Sequence, residues 1–308
     1  MKLAAALATV YVVWGSTYLA IAVAERTMPP LLMLSVRFLV AGALLYAWCV
    51  RRGHVAAERP GRREWLSAAV IGALLLAFET GMLALAEKRI ATGLAALLVA
   101  SVPLLMAVLD RALFGARIAP VAGLGILTGL AGVGMLAGPS GHADPVGVGL
   151  VLAGALAWTG GSLYARVAPQ PRSILLFTAM QMLAGGLELA VFGAARGEVG
   201  QVHLASVSAA SWASFAYLVF VGAIFAYTAY GWLLKHSSTP VLTSYAYVNP
   251  AIAVLLGWGL AGEHMGAREL VSGFVILTSV ALLLVPRREK GKAVEVKVRP
   301  AAPATVDV

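Results

Sequence analysis

Of the 308 residues, 60% are hydrophobic and 12% are charged, about half the charged share of a soluble globular chain, which excludes a water-soluble fold. The formal net charge of +9 would suit a nucleic-acid partner, but the cations are scattered over short connections between apolar runs, where topology and headgroup contact account for them. One cysteine, Cys49, lies inside an apolar run, so no internal disulfide is possible and the residue reads as a small core side chain.

The apolar runs predict ten helices, at 3–24, 30–50, 64–86, 91–113, 120–137, 146–165, 173–194, 211–234, 240–261 and 267–285. Runs near 20 residues cross a hydrocarbon core of ~30 Å as helix. They are rich in Leu, Ala, Val and Gly without strict alternation, which argues against a β-barrel, and backbone in lipid must satisfy its own hydrogen bonds. Turn residues separate the runs: Pro29-Pro30, Gly53, Pro60-Gly61, the Gly-Pro-Ser-Gly at 138–141, Pro169 and Pro171. The first run has no cleavage site followed by a soluble domain and reads as a retained helix rather than a signal peptide. The stretch 286–308 is basic and Pro/Ala-rich and reads as a disordered cytoplasmic tail. The fold class expected is an all-α polytopic membrane protein of ten transmembrane helices.

Lys and Arg orient the chain. With the N-terminus in the cytoplasm, Arg26, Lys88, Arg89, Arg196 and Arg268 fall outside, Arg37 falls in the membrane, and the other 17 of the 23 cations fall inside. Both termini are then cytoplasmic, and an odd number of spans would put the basic tail on the wrong side.

The second half repeats the first. Gly15-Ser16-Thr17-Tyr18 returns as Gly161-Ser162-Leu163-Tyr164. Trp65, Lys88, Thr92 and Pro103 return as Trp212, Lys235, Thr239 and Pro250 at one shared offset. Residues 1–137 and 146–285 thus form two five-helix units. Five is odd, so the second unit enters the membrane from the opposite side, and the two are inverted copies. This plan suits a central cavity opening alternately to either face.

Ionisable groups inside a membrane are costly and default to function. Arg37 and Glu79 fall at matching depth, roughly 10 Å below the outer surface at 1.5 Å per residue, so adjacent antiparallel helices could pair them. Such a pair is either purely structural or a charged cluster meeting substrate or a coupling proton. Glu188 either snorkels to the interface or faces the cavity. Tyr11, Trp14 and Tyr18 share one face of the first span. Trp158 and Tyr164 belong to the sixth, Tyr227 and Tyr230 to the eighth, and Tyr245 and Tyr247 to the ninth. Aromatic walls hold organic solutes by stacking or cation–π contact. Pro103 and Pro250 stand at equivalent points of the two units, where paired helix breaks point to a transport site and its gating. Ser101 and Asn249 flank these breaks and could bind freed backbone groups or substrate. Gly123, Gly125, Gly129, Gly132 and Gly134 permit close packing of the fifth span, including a homodimer. No metalloprotease, serine-nucleophile or phosphate-cradling motif is present, so neither an enzyme, a metal nor a cofactor is expected.

Trp14-Gly15-Ser16-Thr17-Tyr18, Pro29-Pro30 and Arg37-Phe38 resemble the opening of EamA-type permeases of the drug/metabolite transporter superfamily. Ala86-Glu87, 93–97 (Gly-Leu-Ala-Ala-Leu) and Pro103 resemble the end of that family's first repeat. Tyr245-Ala246-Tyr247-Val248-Asn249-Pro250 and Gly262-Glu263 resemble the end of its second. The resemblance implies an inner-membrane permease that exports amino acids, metabolites or toxic organic molecules through a central cavity. It places Trp14, Tyr18, Arg37, Tyr245 and Asn249 on cavity-facing helices, and gives Glu87 and Glu263 structural or gating roles. Glu79 departs from the pattern, which has a small or amide residue there. The expected partners are a small organic solute, the lipid bilayer and protons if transport is coupled. Rival expectations are a passive facilitator and a membrane receptor or scaffold.

Overall fold

The computed structural model describes residues 3–115, 120–137, 144–237, 241, 244–263 and 266–284, and among these the regular structure is entirely helical. The expected tail at 286–308 and the turn at 138–141 lie outside the described residues. The main helices are α1 (Leu3–Ala24), α2 (Pro30–Arg51), α3 (Arg62–Glu87), α4 (Thr92–Leu113), α5 (Pro120–Ala137), α6 (Pro145–Tyr164), α7 (Ile174–Ala195), α8 (Ala209–Leu233), α9 (Tyr245–Ala261) and α10 (Ala267–Leu284). Seven of them, α1 to α4 and α6 to α8, are long and apolar enough to cross a membrane; α5, α9 and α10 carry shorter apolar stretches.

Local chemistry sets the ends. Pro30 occupies the first turn of α2, where a missing N–H costs nothing. Asp144, Ser173 and Ser208 cap α6, α7 and α8 through their side chains. Gly262, at φ 69°, ends α9 in the left-handed region. Asp144 also pairs with Arg89 at 2.9 Å, and Arg166 pairs with Asp110 at 3.0 Å.

Three features were not expected. His54–Glu58 forms a short helix where a loop was predicted. Two helices contain π-helical stretches, Ala73–Phe78 in α3 and Leu218–Phe225 in α8. Their last residues, Phe78 and Phe225, stand one repeat apart, at the offset that relates Trp65 to Trp212. The expected pair of proline breaks appears on one side only. In α4 the turn at Ala100–Ser101 precedes Pro103, and Leu104 N–H donates to the Ser101 carbonyl at 2.9 Å. In α9 the helix runs through Pro250 without interruption. Pro250 lies in the second turn, so its missing N–H removes one early intrahelical bond and the later ones re-form.

The packing pairs follow a simple exchange. α1 packs on α8 and α9, while α6 packs on α3 and α4; α2 packs on α7, α5 on α10 and α4 on α9. Advancing each helix number by five turns the α1 pairs into the α6 pairs and returns the last three pairs to themselves. Glycines make the central contacts close, as expected where no water drives helices together. A Cβ on Gly42 would lie 3.0 Å from both Met182 Cβ and Leu183 N, and one on Gly72 would lie 2.7 Å from Gln181 O. Phe38, Leu34, Ile71, Met180, Met182 and Leu189 are fully buried around these contacts.

Carboxylates of one half cap helices of the other. Glu198 Oε2 accepts from Leu32 N in the first turn of α2 at 2.9 Å. Glu58 accepts from Ser173 N at 2.8 Å and from Arg172 N, at the start of α7. Glu263 accepts from Thr92 N at 2.9 Å and Gly93 N at 3.2 Å, at the start of α4. Free N-terminal amides and the helix dipole both favour an anion there.

Candidate functional site

A central cavity, half open at its mouth, lies among α1, α2, α3, α4, α6, α8 and α9, with about 730 Å³ of space between protein atoms when the solvent at the mouth is counted. From α1 it takes Trp14, Thr17, Tyr18 and Ile21, which share one helical face. α2 adds Arg37, and α3 adds Glu79, Thr80 and Leu83. Ala96, Val99, Ala100 and Val102 bring the irregular turn of α4 to the wall. The second half contributes Trp158 from α6, Tyr227 from α8, and Tyr245, Asn249 and Pro250 from α9.

Trp14 is the hub of the aromatic wall. Its ring centroid lies 6.0 Å from Trp158 and 5.3 Å from Tyr227, both near edge-on. Tyr230 lies 4.9 Å away and Tyr245 5.4 Å away. One turn before Trp14, Tyr11 hydrogen-bonds Ser244 at the head of α9, so the Trp14 end is crowded by rings from α1, α6, α8 and α9. Such edge-to-face sets are worth about 0.5–1.5 kcal/mol per pair beyond area burial and form a rigid apolar floor.

The polar groups are few. Arg37 is 3% exposed; its Nε donates to the Leu218 carbonyl at 3.2 Å, while Nη1 is buried without a hydrogen-bond partner. Glu79 is the first residue after the π-helical stretch of α3, and its Oε2 accepts from Thr80 Oγ1 at 3.0 Å. Asn249 Oδ1 is buried without a partner. The expected Arg37–Glu79 ion pair is not formed: the two side chains do not come within ion-pair distance, as those of Arg89 and Asp144 and of Arg166 and Asp110 do. The reason lies in α8, whose Leu218 carbonyl takes the Arg37 Nε, leaving both charged groups to face the same space.

Of the other expected site residues, Tyr164 lies outside the lining, packed against the core at the end of α6. Ser101 is also outside it, buried behind the α4 turn with its hydroxyl unpartnered. Pro103 follows that turn, so it shapes the wall from behind. Glu188 stays half-buried on α7, away from the cavity. The side chain of Tyr247 lies outside what is described. Thr17 and Thr80 were not anticipated, although each adjoins a residue that was. Glu263 proves to be the cap of α4, while both Glu87 oxygens are buried without partners. Among the described residues no group of three or more His, Cys, Asp or Glu is placed to hold a metal ion.

A bundle of long apolar helices around a central cavity of aromatic walls and isolated charges defines a multi-pass membrane protein with an internal chamber. The family comparison is decisive at the next level: the EamA-like transporter family matches residues 1–138 and again 145–285, and the chain belongs to that family. It is 40% identical to the uncharacterized inner membrane transporter YedA of Escherichia coli (strain K12), over 92% of this chain and 90% of that protein. A chloroplastic WAT1-related protein of Arabidopsis thaliana is 26% identical, over 89% of this chain and 67% of its own length. One crystal structure, at 21% identity, superimposes with a TM-score of 0.64 over 91% of this chain and 96% of the other, and so shares the fold.

Proposed function

We propose that the chain is a secondary transporter that exports a small organic solute across the inner membrane by alternating access and leaves it chemically unchanged. The observation that carries this reading is the cavity walled jointly by α1–α4 of the first half and α6, α8 and α9 of the second. In this reading all ten helices cross the bilayer as two oppositely oriented repeats, 1–137 and 146–285, with both termini cytoplasmic. The exchange of packing pairs by five supports the two-fold relation, and the bias of Lys and Arg supports the orientation. Trp14, Tyr18, Trp158, Tyr227 and Tyr245 hold the body of the solute, and Arg37, Glu79 and Asn249 meet its polar groups. The α4 turn at Pro103 and the early part of α9 at Pro250 absorb the movement between states.

Coupling to protons is favoured over passive facilitation by Glu79, a carboxylate facing the cavity with one hydrogen bond from a neighbouring hydroxyl. The test is counterflow of a radiolabelled library of amino acids and drug-like compounds in proteoliposomes, with and without a pH gradient. Exchange above protein-free vesicles, accelerated by the gradient and insensitive to it in Glu79→Gln, is the expected result. No exchange of any solute would overturn the transport reading, and exchange indifferent to pH in the parent chain would leave a facilitator.

A further inference from the structure

The guanidinium of Arg37 comes from the first half of the chain, but its seat is built by the second. The Leu218 carbonyl that accepts from Nε opens the π-helical stretch of α8, where the bonding register shifts by a residue relative to an α-helix. Within that stretch, a Cβ on Gly222 would lie 3.2 Å from Nη2 and 3.1 Å from Thr17 Cγ2. Both distances are tighter than ordinary contact, so a side chain there would press on the guanidinium and on Thr17 by a few tenths of an ångström. Below it, the Phe38 ring centroid is 4.8 Å from Cζ. The Leu218 carbonyl, Gly222 and Phe38 thus surround the guanidinium on three sides, and Nη1 is buried without an acceptor, on a residue that lines the cavity. An unpaired donor on a buried cation is destabilising, and a protein that holds one rigidly in a chamber has prepared a place for an anionic acceptor.

We infer that the transported solute carries a carboxylate that docks on Arg37 Nη1, and that Leu218 and Gly222 are the positioning residues that keep that edge of the guanidinium turned to the cavity. The inference rests on the cavity being the transport site. A carboxylate suits the planar donor edge of arginine. A monoanion also suits the charge count better than a phosphate monoester, because Glu79 faces the same space and a second negative charge on the solute would meet it. The aromatic wall around Trp14 requires the rest of the solute to be a flat or apolar body.

The experiment is equilibrium binding to the full chain in lipid nanodiscs, with three probes sharing one body: phenylpropionate, phenylpropanol and phenylpropyl phosphate. The acid is expected to bind about tenfold or more tightly than the alcohol, and more tightly than the phosphate. Arg37→Gln brings acid and alcohol to one affinity, and Arg37→Lys, which keeps the charge but loses the fork, restores only part of the preference. Gly222→Ala lowers the acid-to-alcohol ratio severalfold, a quantity that a general loss of folding does not move. Equal binding of acid and alcohol, or tighter binding of the phosphate, overturns the carboxylate assignment. An unchanged ratio in Gly222→Ala overturns the positioning role. If the acid binds with the expected preference but proteoliposomes exchange neither it nor any solute of the library, the transport reading fails and the docking point stands. If acid and alcohol are exchanged alike, the docking point fails and transport stands. Binding of none of the three probes overturns the docking point and leaves the transport reading to the library exchange.

Discussion

Alanine at Gly72 tests the close seam between the two halves. A Cβ there would lie 2.7 Å from Gln181 O, 2.9 Å from Gly185 N and 3.3 Å from Gly185 Cα. All three are backbone atoms of α7, so no rotamer change can relieve the clash, and α3 must move away by several tenths of an ångström. Gly185 faces the same constraint in return, since its own Cβ would lie 2.9 Å from Gly72 O. Overpacking of this kind costs about 1–3 kcal/mol, and alanine's better helix propensity returns about 0.5–1 kcal/mol. The net loss for Gly72→Ala is then about 0–2.5 kcal/mol. Gly160, inside α6, has nothing within 4 Å of its Cβ position, so Gly160→Ala should be neutral or stabilise by about 0.5–1 kcal/mol. Unfolding of the two variants and the parent by sodium dodecyl sulfate, followed by tryptophan fluorescence in mixed micelles, measures the gap. Equal midpoints for Gly72→Ala and Gly160→Ala would refute the claim that backbone contact at this seam holds the halves together.

Three further outcomes follow from the same structure. Burial pushes the Glu25 carboxyl, just beyond α1, up to about 8, with Lys88 opposing and Glu198 reinforcing the shift. The folded form then keeps a proton that the unfolded chain loses at about 4.3, so stability falls as pH rises from about 4.3 to about 8; Glu25→Gln should flatten that slope in unfolding midpoints. Glu263→Ala removes the acceptor of two amides at the start of α4; it should cost about 0.5–2 kcal/mol and speed hydrogen exchange at Thr92 and Gly93. Single cysteines at Gly53 and Ser237, in a chain with Cys49 replaced by alanine, should react with an impermeant maleimide from the same face of the membrane; labelling from opposite faces would undo the proposed topology.

Helix boundaries were the most legible part of this molecule because apolar length is written residue by residue. The first two expected spans, 3–24 and 30–50, differ from α1 and α2 by at most one residue. The ninth was expected from 240, which lies outside the described residues; the described part of α9 begins at Tyr245. Most of the cavity wall was legible too, since Trp14, Tyr18, Arg37 and Glu79 stand out against an apolar background. What failed depended on partners far along the chain. Nothing in Leu218–Phe225 marks it as π-helical, so its claim on Arg37 Nε was invisible, and matching depth alone suggested an Arg37–Glu79 pair. The caps made by Glu58, Glu198 and Glu263 join residues more than 100 positions apart, beyond the reach of a local motif. Ser101 and Tyr164 were misplaced for a smaller reason: helical phase around an irregular turn or near a helix end cannot be counted from a period of 3.6 residues.

The interleaved carboxylate caps leave neither half a fold of its own to retreat to. Glu58 serves an amide pair at the head of α7, and Glu198 serves the Leu32 amide at the head of α2, so a severed half would be left with bare helix ends and an open glycine seam. The contacts across the halves, more than the covalent link between α5 and α6, are therefore what should hold them together. Cutting it should leave two fragments that recognise each other and reassemble, while either fragment made alone becomes a substrate for membrane quality control.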